Sequence, residues 1–255
     1  MNFFDRALPL EEPPVRLWQE DPELFEGLDR RAQREAQLQA VAPALRVDPG
    51  PWSGRLEAVE DPSDHLGLLV IEGMLIRTVV VGRRSHSEVI TSGDVIRPWE
   101  ENEDSSAPSS ATWTAAESTR LAVLNPAFLR WSCRWPALMS AIMGRAIRRS
   151  QSLALQLAIT DVRRVDERIL LLFWHLADRC GRVRADGVLL PLRVTHETLA
   201  ELVGAQRPTV TSALQKLSRS GRIRRLPDKT WLLTPMESTL ATDVGPAPQT
   251  ILPAA

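Results

Sequence analysis

The stretch THETLAELVGAQRPTVTSALQKLSRSGRIRR, Thr195 to Arg225, decides how this chain is read. Thr195 is placed to cap a helix over HETLAELV, whose inner face is Leu199, Leu202 and Val203, and Gly204 ends it. A second helix is expected from about Gln206. Pro208 is tolerated there because the N–H groups of a first turn have no intrahelical acceptor. At about 100° per residue, Val210, Ala213, Leu214 and Leu217 fall on one face, and Pro208, Thr211, Ser212, Gln215 and Arg219 on the other. The apolar face locks the two helices together. The polar face begins with short uncharged side chains that permit close approach to base edges, and Arg207, Lys216 and Arg219 flank it as cations for phosphates. Helix, tight turn and helix is the pattern of a groove-reading unit.

Charge agrees with this reading. Ala205 to Arg225 carries six Lys/Arg and no Asp or Glu, in a chain with 31 basic against 32 acidic residues. Asp161 to Pro235 holds 14 basic and 8 acidic residues, a net of +6, which leaves −7 for the remainder. One part of the chain is suited to a polyanion and the rest is not. Beyond the second helix, RIRRLPDKTWLL reads as a basic hairpin with Arg222, Arg224, Arg225 and Lys229 near a PDK turn, the position of a wing. Before the first helix, GRVRADGVLLPLRVT carries Asp186-Gly187 between β-like pairs, a second hairpin signal.

The remaining chain reads as a different unit. With 255 residues, 44% of them apolar, two domains are expected. Asp21-Pro22 followed by ELFEGLDRRAQREAQLQAVAPAL predicts an N-terminal helix with Asp21 as cap. From Gly67 to Trp99 short β-rich runs are punctuated by Gly73, Gly82 and Gly93, the pattern of an all-β roll. An acidic Ser/Pro-rich loop, Glu100 to Ala111, interrupts the strands, and TWTAAESTRLAVLN resumes them. After Pro136 comes the longest helix candidate. Met139, Met143, Ala146, Ser150, Leu153, Leu157 and Thr160 follow a 4-3-4-3 spacing on it, which predicts a seam with a second copy of the chain. Asp161 to Cys180 is a further helix with Val165, Ile169, Leu172, Phe173 and Leu176 on its apolar face, and the tail after Pro235 has no period.

VTHETLAELVGAQRPTVTSALQKLSRSGRI resembles the helix-turn-helix of the Crp/Fnr superfamily of bacterial transcription regulators, and GRVRADGVLLPLRVT resembles the hairpin before it in many members. A weaker resemblance extends over Gly67 to Thr160, where that family has a cyclic-nucleotide-binding-type β-roll and a long dimerisation helix. It implies an α+β chain: a β-roll (a cyclic-nucleotide-binding-like jelly roll) with the N-terminal helix over 1–130, a dimerisation helix over 131–161, a winged helix-turn-helix over 162–235 and a flexible tail over 236–255. It implies that Gln206, Arg207, Pro208, Thr211 and Ser212 hold the DNA-contacting positions. Thr209, Gln215, Lys216, Arg224 and Lys229 complete the expected set. Pro208 and Ser212 stand where cyclic-AMP-responsive members have Glu and Arg, so the preferred operator is expected to differ from theirs.

In the roll, nucleotide-binding members carry Gly-Glu for the ribose and Arg-Ser/Thr for the cyclic phosphate. Here VIRPWEENED places Arg97-Pro98, and PSSATW places Ser109-Ser110, at those points. A cyclic phosphate loses its guanidinium contact, so cyclic AMP is not expected to bind in the family manner. The candidate ligand pocket is Arg97, Trp99, Ser109, Ser110 and Trp113, with the effector unidentified. An alternative reading makes the roll the active surface, a sensor or protein-interaction module for a small apolar ligand, with DNA binding secondary.

Other classes lack their signatures. There is no G-x-S-x-G, P-loop or dinucleotide glycine pattern, so no catalytic residues and no enzyme are expected. Cys133 and Cys180 are isolated, giving neither a Cys-x-x-Cys metal site nor an iron–sulfur set, and His65, His86, His175 and His196 form no metal-ligand spacing. No cofactor is expected. ILLLFWHLA, Ile169 to Ala177, is about half a membrane span, and MNFFDRALPLEEPP lacks secretory-signal texture, so the expectation is a cytoplasmic protein. The expected partners are double-stranded DNA, a second copy through the helix over 137–160, RNA polymerase, and a small-molecule effector.

Overall fold

The computed structural model describes residues 12–56, 63–100 and 108–235. The chain enters through β1 (Val15–Arg16), α1 (Leu17–Glu20), a 3-10 turn (Pro22–Phe25) and α2 (Arg30–Gln39). Strands follow as β2 (Val41–Ala42), β3 (Ala44–Val47), β4 (Gly50–Trp52), β5 (Gly67–Glu72), β6 (Met74–Val81), β7 (Arg84–Thr91) and β8 (Val95–Ile96). After a 3-10 turn at Pro98–Glu100 come β9 (Ser109–Ala115), β10 (Thr119–Leu124), α3 (Pro126–Ser132) and α4 (Pro136–Thr160). The C-terminal part is α5 (Val165–Cys180), β11 (Arg182–Arg184), β12 (Gly187–Leu190), α6 (His196–Leu202), α7 (Arg207–Arg219), β13 (Ile223–Arg225) and β14 (Trp231–Leu233).

The roll is two four-stranded antiparallel sheets, β3-β10-β5-β8 and β4-β9-β6-β7, closed over Leu68, Val70, Leu75, Ile90, Trp113 and Leu121. Gly73 makes the corner between β5 and β6 at φ +98°, where a Cβ would sit 2.6 Å from the Ser118 carbonyl oxygen, so only glycine fits. A second core joins α1, α2 and α3 to the first half of α4 through Leu17, Phe25, Ala36, Phe128, Leu138 and Ile142. The third unites α5, α6, α7 and the sheet β11-β12-β14-β13, and it also contains Met74, Ile76 and Val89 of the roll. The C-terminal part therefore packs directly on β6 and β7.

Three expectations are corrected. The N-terminal helix is split: after the 3-10 turn the chain breaks near Gly27, and Asp29 starts α2 afresh, its carboxylate accepting from the N–H groups of Arg31 (2.9 Å) and Ala32 (2.8 Å). Asp21 makes no side-chain cap, because its carboxylate takes the Arg145 guanidinium at 2.6 Å. The helix expected to begin at Asp161 starts at Val165, after a turn in which the Asp161 N–H bonds the Ala158 carbonyl and α4 ends. The long helix runs over Pro136–Thr160, as expected after Pro136, with Trp135 its N-cap and Trp131 and Ser132 closing α3 before it. The tail from 236 and most of the acidic loop lie outside the described residues.

On α4 the face turned to the protein is Leu138, Ile142, Arg145, Arg149, Ser152, Gln156 and Ile159, one position before the stripe singled out in the sequence. Four of these are polar, and each finds a partner. Arg145 bonds Asp21 and the Gly93 carbonyl (2.9 Å), Arg149 bonds Glu88 (2.7 Å), Ser152 bonds His175 (2.7 Å), and Gln156 donates to the Ser87 carbonyl (2.7 Å). The stripe at the next position contains Met143, 66% exposed, and Leu157, 53% exposed, with Ile147 and Leu155 beside them. Apolar side chains are uncovered on this part of α4 between Met143 and Leu157.

Candidate nucleic-acid interface

Thr195 caps α6, its hydroxyl accepting from the Thr198 N–H at 3.1 Å. Gly204, at φ +60°, turns the chain, and the Ala205 N–H returns to the Ala200 carbonyl at 2.9 Å. Gln206 is the N-cap of α7 in extended conformation, with Pro208 in the first turn. Val210, Ala213, Leu214 and Leu217 are buried against α5 and α6, while Gln206, Arg207, Pro208, Thr209, Ser212, Gln215 and Lys216 are exposed and Thr211 is half-buried. The side chains on the outer face are thus brought together along three turns of one helix.

Several are already oriented. Thr211 and Ser212 direct their hydroxyls back to the carbonyls of Arg207 (3.1 Å) and Pro208 (3.2 Å), leaving lone pairs outward. Lys216 pairs with Asp166 of α5 at 2.7 Å. Burial raises the Asp166 carboxyl, but the hydrogen bonds from Lys216 and Arg164 outweigh this and hold it below its ordinary value. The Arg207 side chain makes no hydrogen bond or ion pair with any described residue.

The wing is β13, β14 and the turn between them. Asp228 shapes the turn by accepting from the Thr230 N–H (3.2 Å) and hydroxyl (2.7 Å), which places Lys229 at φ +68° on the exposed tip. Those same Thr230 bonds lower the Asp228 carboxyl. Arg225 lies over the Trp231 ring at 5.4 Å, and Arg224 reaches Asp186 in the β11–β12 turn at 3.2 Å. Arg224 and Lys229 therefore stand on the wing, off the outer face of α7 but on the same C-terminal unit.

Side-chain links tie this unit to the roll. Ser87 donates to Glu201 of α6 (2.8 Å), Gln156 donates to the carbonyls of Ser87 and Leu202, Arg179 pairs with Asp94 (2.5 Å), and Arg193 pairs with Glu117 (2.8 Å). Next to Ser87, Glu88 is 3% exposed and held between Arg77 (3.1 Å) and Arg149 (2.7 Å).

Arg77 and Arg149, with Arg97, Glu100, Trp113 and Leu153, border a cavity of about 390 Å³ between the roll and α4. Of the five pocket residues expected from sequence, Arg97 and Trp113 meet here. Arg97 bonds Glu100 (2.9 Å) and the Ser63 carbonyl (2.8 Å), and Trp113 stacks edge-on with Trp52 at 5.9 Å. Trp99 packs behind, edge-on to His65. Ser109 and Ser110 stand exposed at the start of β9, paired with Val81 and Val80, and do not border the cavity. Sequence reasoning missed Arg77, Glu88 and Arg149. A guanidinium pattern on β6 and on the inner face of α4 was present in the sequence, but its shared carboxylate is 61 residues from Arg149.

Residues 167–237 match the Crp-like helix-turn-helix domain family. The regulatory protein CysR of Synechococcus elongatus is 35% identical over 94 residues, 35% of this chain and 44% of CysR, so the match spans less than half of that relative. The CRP-like cAMP-activated global transcriptional regulator of Mycobacterium tuberculosis is 26% identical over 206 residues, 79% of this chain and 88% of that protein. A cyclic nucleotide-binding domain containing protein from Listeria monocytogenes has a similar fold, with a TM-score of 0.59 at 14% identity over 86% of this chain and 97% of that one. A roll, a long helix and a winged helix-turn-helix in this order, together with these matches, make the chain similar to DNA-binding transcription regulators of the Crp/Fnr type.

Proposed function

We propose that this regulator works as a homodimer, joined along α4, that sets α7 of each protomer into successive major grooves of a two-fold operator. The observation that carries the reading is the outer face of α7, which is exposed, free of acids and lined with short polar side chains between cations. The base-reading set is Gln206, Arg207, Pro208, Thr209, Thr211, Ser212 and Gln215, with Lys216, Arg224 and Lys229 on phosphates. Half-sites about one helical turn apart follow from two-fold symmetry. The uncovered stripe of Met143, Ile147 and Leu157 supports the dimer along α4. In this account 1–130 is the sensor, α4 the dimer helix and 162–235 the DNA-binding domain.

The cavity between the roll and α4 is the candidate effector site. The mycobacterial relative is named as cAMP-activated. In this chain Arg97-Pro98 and exposed Ser109-Ser110 hold the positions that resemble the ribose and phosphate contacts, so we propose an effector other than cyclic AMP. Among the described residues the lining carries three guanidinium groups and a carboxylate beside Trp113, which disfavours a purely apolar ligand. RNA polymerase is the partner through which such a regulator would act.

The test is fluorescence anisotropy of the full chain on labelled duplex DNA across a salt series. If about six to ten phosphates are neutralised, affinity falls on the order of 10³-fold or more between about 50 and 200 mM salt. Salt-independent binding, or none, would contradict the reading. Added cyclic AMP is expected to leave the affinity unchanged.

A further inference from the structure

His196 of α6 lies behind the reading face of α7. Its Nδ1 is 3.0 Å from the Thr211 hydroxyl, and that hydroxyl is also 3.1 Å from the Arg207 carbonyl oxygen. Thr211 has one hydroxyl proton. When that proton goes to the Arg207 carbonyl, Nδ1 carries the ring proton and donates to Thr211 Oγ1, and this is the tautomer the proposal takes. Nε2 is left as a lone pair in the neutral ring and becomes a second donor only when the ring is charged. Neutral and charged rings thus hold Thr211 identically, and differ only at Nε2.

Burial, followed by Arg225 on β13 and Arg207 on α7, keeps the imidazole below its ordinary value of 6.5. Both charged groups acting on it from the packed elements are cations. These cations flank the face offered to DNA. Phosphates arriving there cancel their repulsion and add negative charge, so the bound state favours the imidazolium that the free protein disfavours.

We propose that His196 takes up a proton as the duplex docks and donates through Nε2 to a backbone phosphate, while Nδ1 fixes the Thr211 hydroxyl for the groove, so that operator affinity falls as pH rises. The proposal rests on the reading of α7 as the groove helix. By linkage the sign is fixed: a group that gains a proton on binding strengthens binding at low pH and ceases to contribute above its value in the complex. Between the free and bound values, log K falls with a slope approaching about −1 per pH unit for each His196, or about −2 per dimer.

The experiment measures affinity of the full chain for a duplex selected by that chain from a random pool, at constant ionic strength from about pH 5.5 to 8.5, a range that brackets an ordinary imidazole. The wild type is expected to weaken at least about tenfold across the window, a linkage of one proton or more. His196→Gln, which can still donate an amide hydrogen to Thr211, is expected to be flat and to match the wild type within a few-fold at the alkaline end. In NMR of imidazole-labelled protein, the His196 titration midpoint should move upward on adding duplex. An unchanged pH slope in His196→Gln, a pH-flat wild type, or an unmoved midpoint overturns the proposal. If His196→Gln does not fold, the wild-type midpoint decides. Failure to select or bind any duplex would instead refute the groove-helix reading itself, whereas good but pH-flat binding refutes only the role of His196.

Discussion

Arg207→Ala and Lys216→Ala remove one cation each from α7, yet the structure predicts different consequences. The Arg207 side chain is exposed and has no hydrogen-bonding or ionic partner among the described residues, so its loss leaves the melting temperature unchanged. On DNA a bidentate base contact contributes about 1–3 kcal/mol. Two copies in a dimer give about 2–6 kcal/mol, or about 30-fold to about 10⁴-fold in affinity, concentrated on one base position per half-site. Lys216 is tied to Asp166 at 2.7 Å with its side chain 60% exposed, and a phosphate must share or displace that pair. An exposed pair of this kind is worth at most about 1 kcal/mol, so the exchange is nearly even and the affinity loss is small. Removing Lys216 should instead reduce the salt slope by about 0.9 per protomer, about 1.8 per dimer, equally on all sequences. Anisotropy titrations of both variants on the selected duplex and on single-base mismatches, at several salt concentrations, separate the two. Affinity of Arg207→Ala within twofold of wild type, or the same mismatch profile as wild type, would refute the placement of α7.

Met143→Glu combined with Leu157→Glu places charge on the uncovered stripe of α4 without touching its inner face, so sedimentation should show monomers with unchanged circular dichroism; a persisting dimer would move the seam elsewhere. Burial pushes the Cys180 thiol up to about 11, so at pH 8 it stays protonated, and a thiol reagent should modify exposed Cys133 alone until denaturant is added. Two fast thiols in native protein would contradict the packing of α5. Gly73→Ala forces a Cβ against the Ser118 carbonyl at φ +98° and should cost more than about 1 kcal/mol in urea unfolding, against no cost if the β5–β6 corner is built otherwise.

How much of this was legible depended on how local the determining contacts are. The buried set Val210, Ala213, Leu214 and Leu217, the cap at Thr195, the turn at Gly204 and the first-turn Pro208 are all fixed by neighbours within one or two helical turns, and the structure has each of them in place. The strands from β5 to β8, and β10, were legible for the same reason, since glycine punctuation and short β-branched runs are local signals, whereas β3 and β4 were not: Ala44 and Leu45 ended the stretch expected to be helical, and Gly50–Trp52 carried no strand signal. The inner face of α4 was not. Arg145, Arg149, Ser152 and Gln156 look like a solvated face by polarity, and only partners 23 to 124 residues away make them inward. Asp21 misled for the same reason, having the composition of a cap but a distant guanidinium as its partner. In the roll, Arg97 was legible as a departure from the family pattern, whereas the Arg77–Glu88–Arg149 cluster required the fold.

The central claim, that two copies of α7 read a two-fold operator, is tested most directly by selecting duplexes from a random pool with the full chain and sequencing what is retained. The account predicts an enriched palindrome with half-sites about 10 base pairs apart, centre to centre, and a base preference different from that of cyclic-AMP-responsive relatives. A pool without an enriched site, or a site without two-fold symmetry, would contradict it.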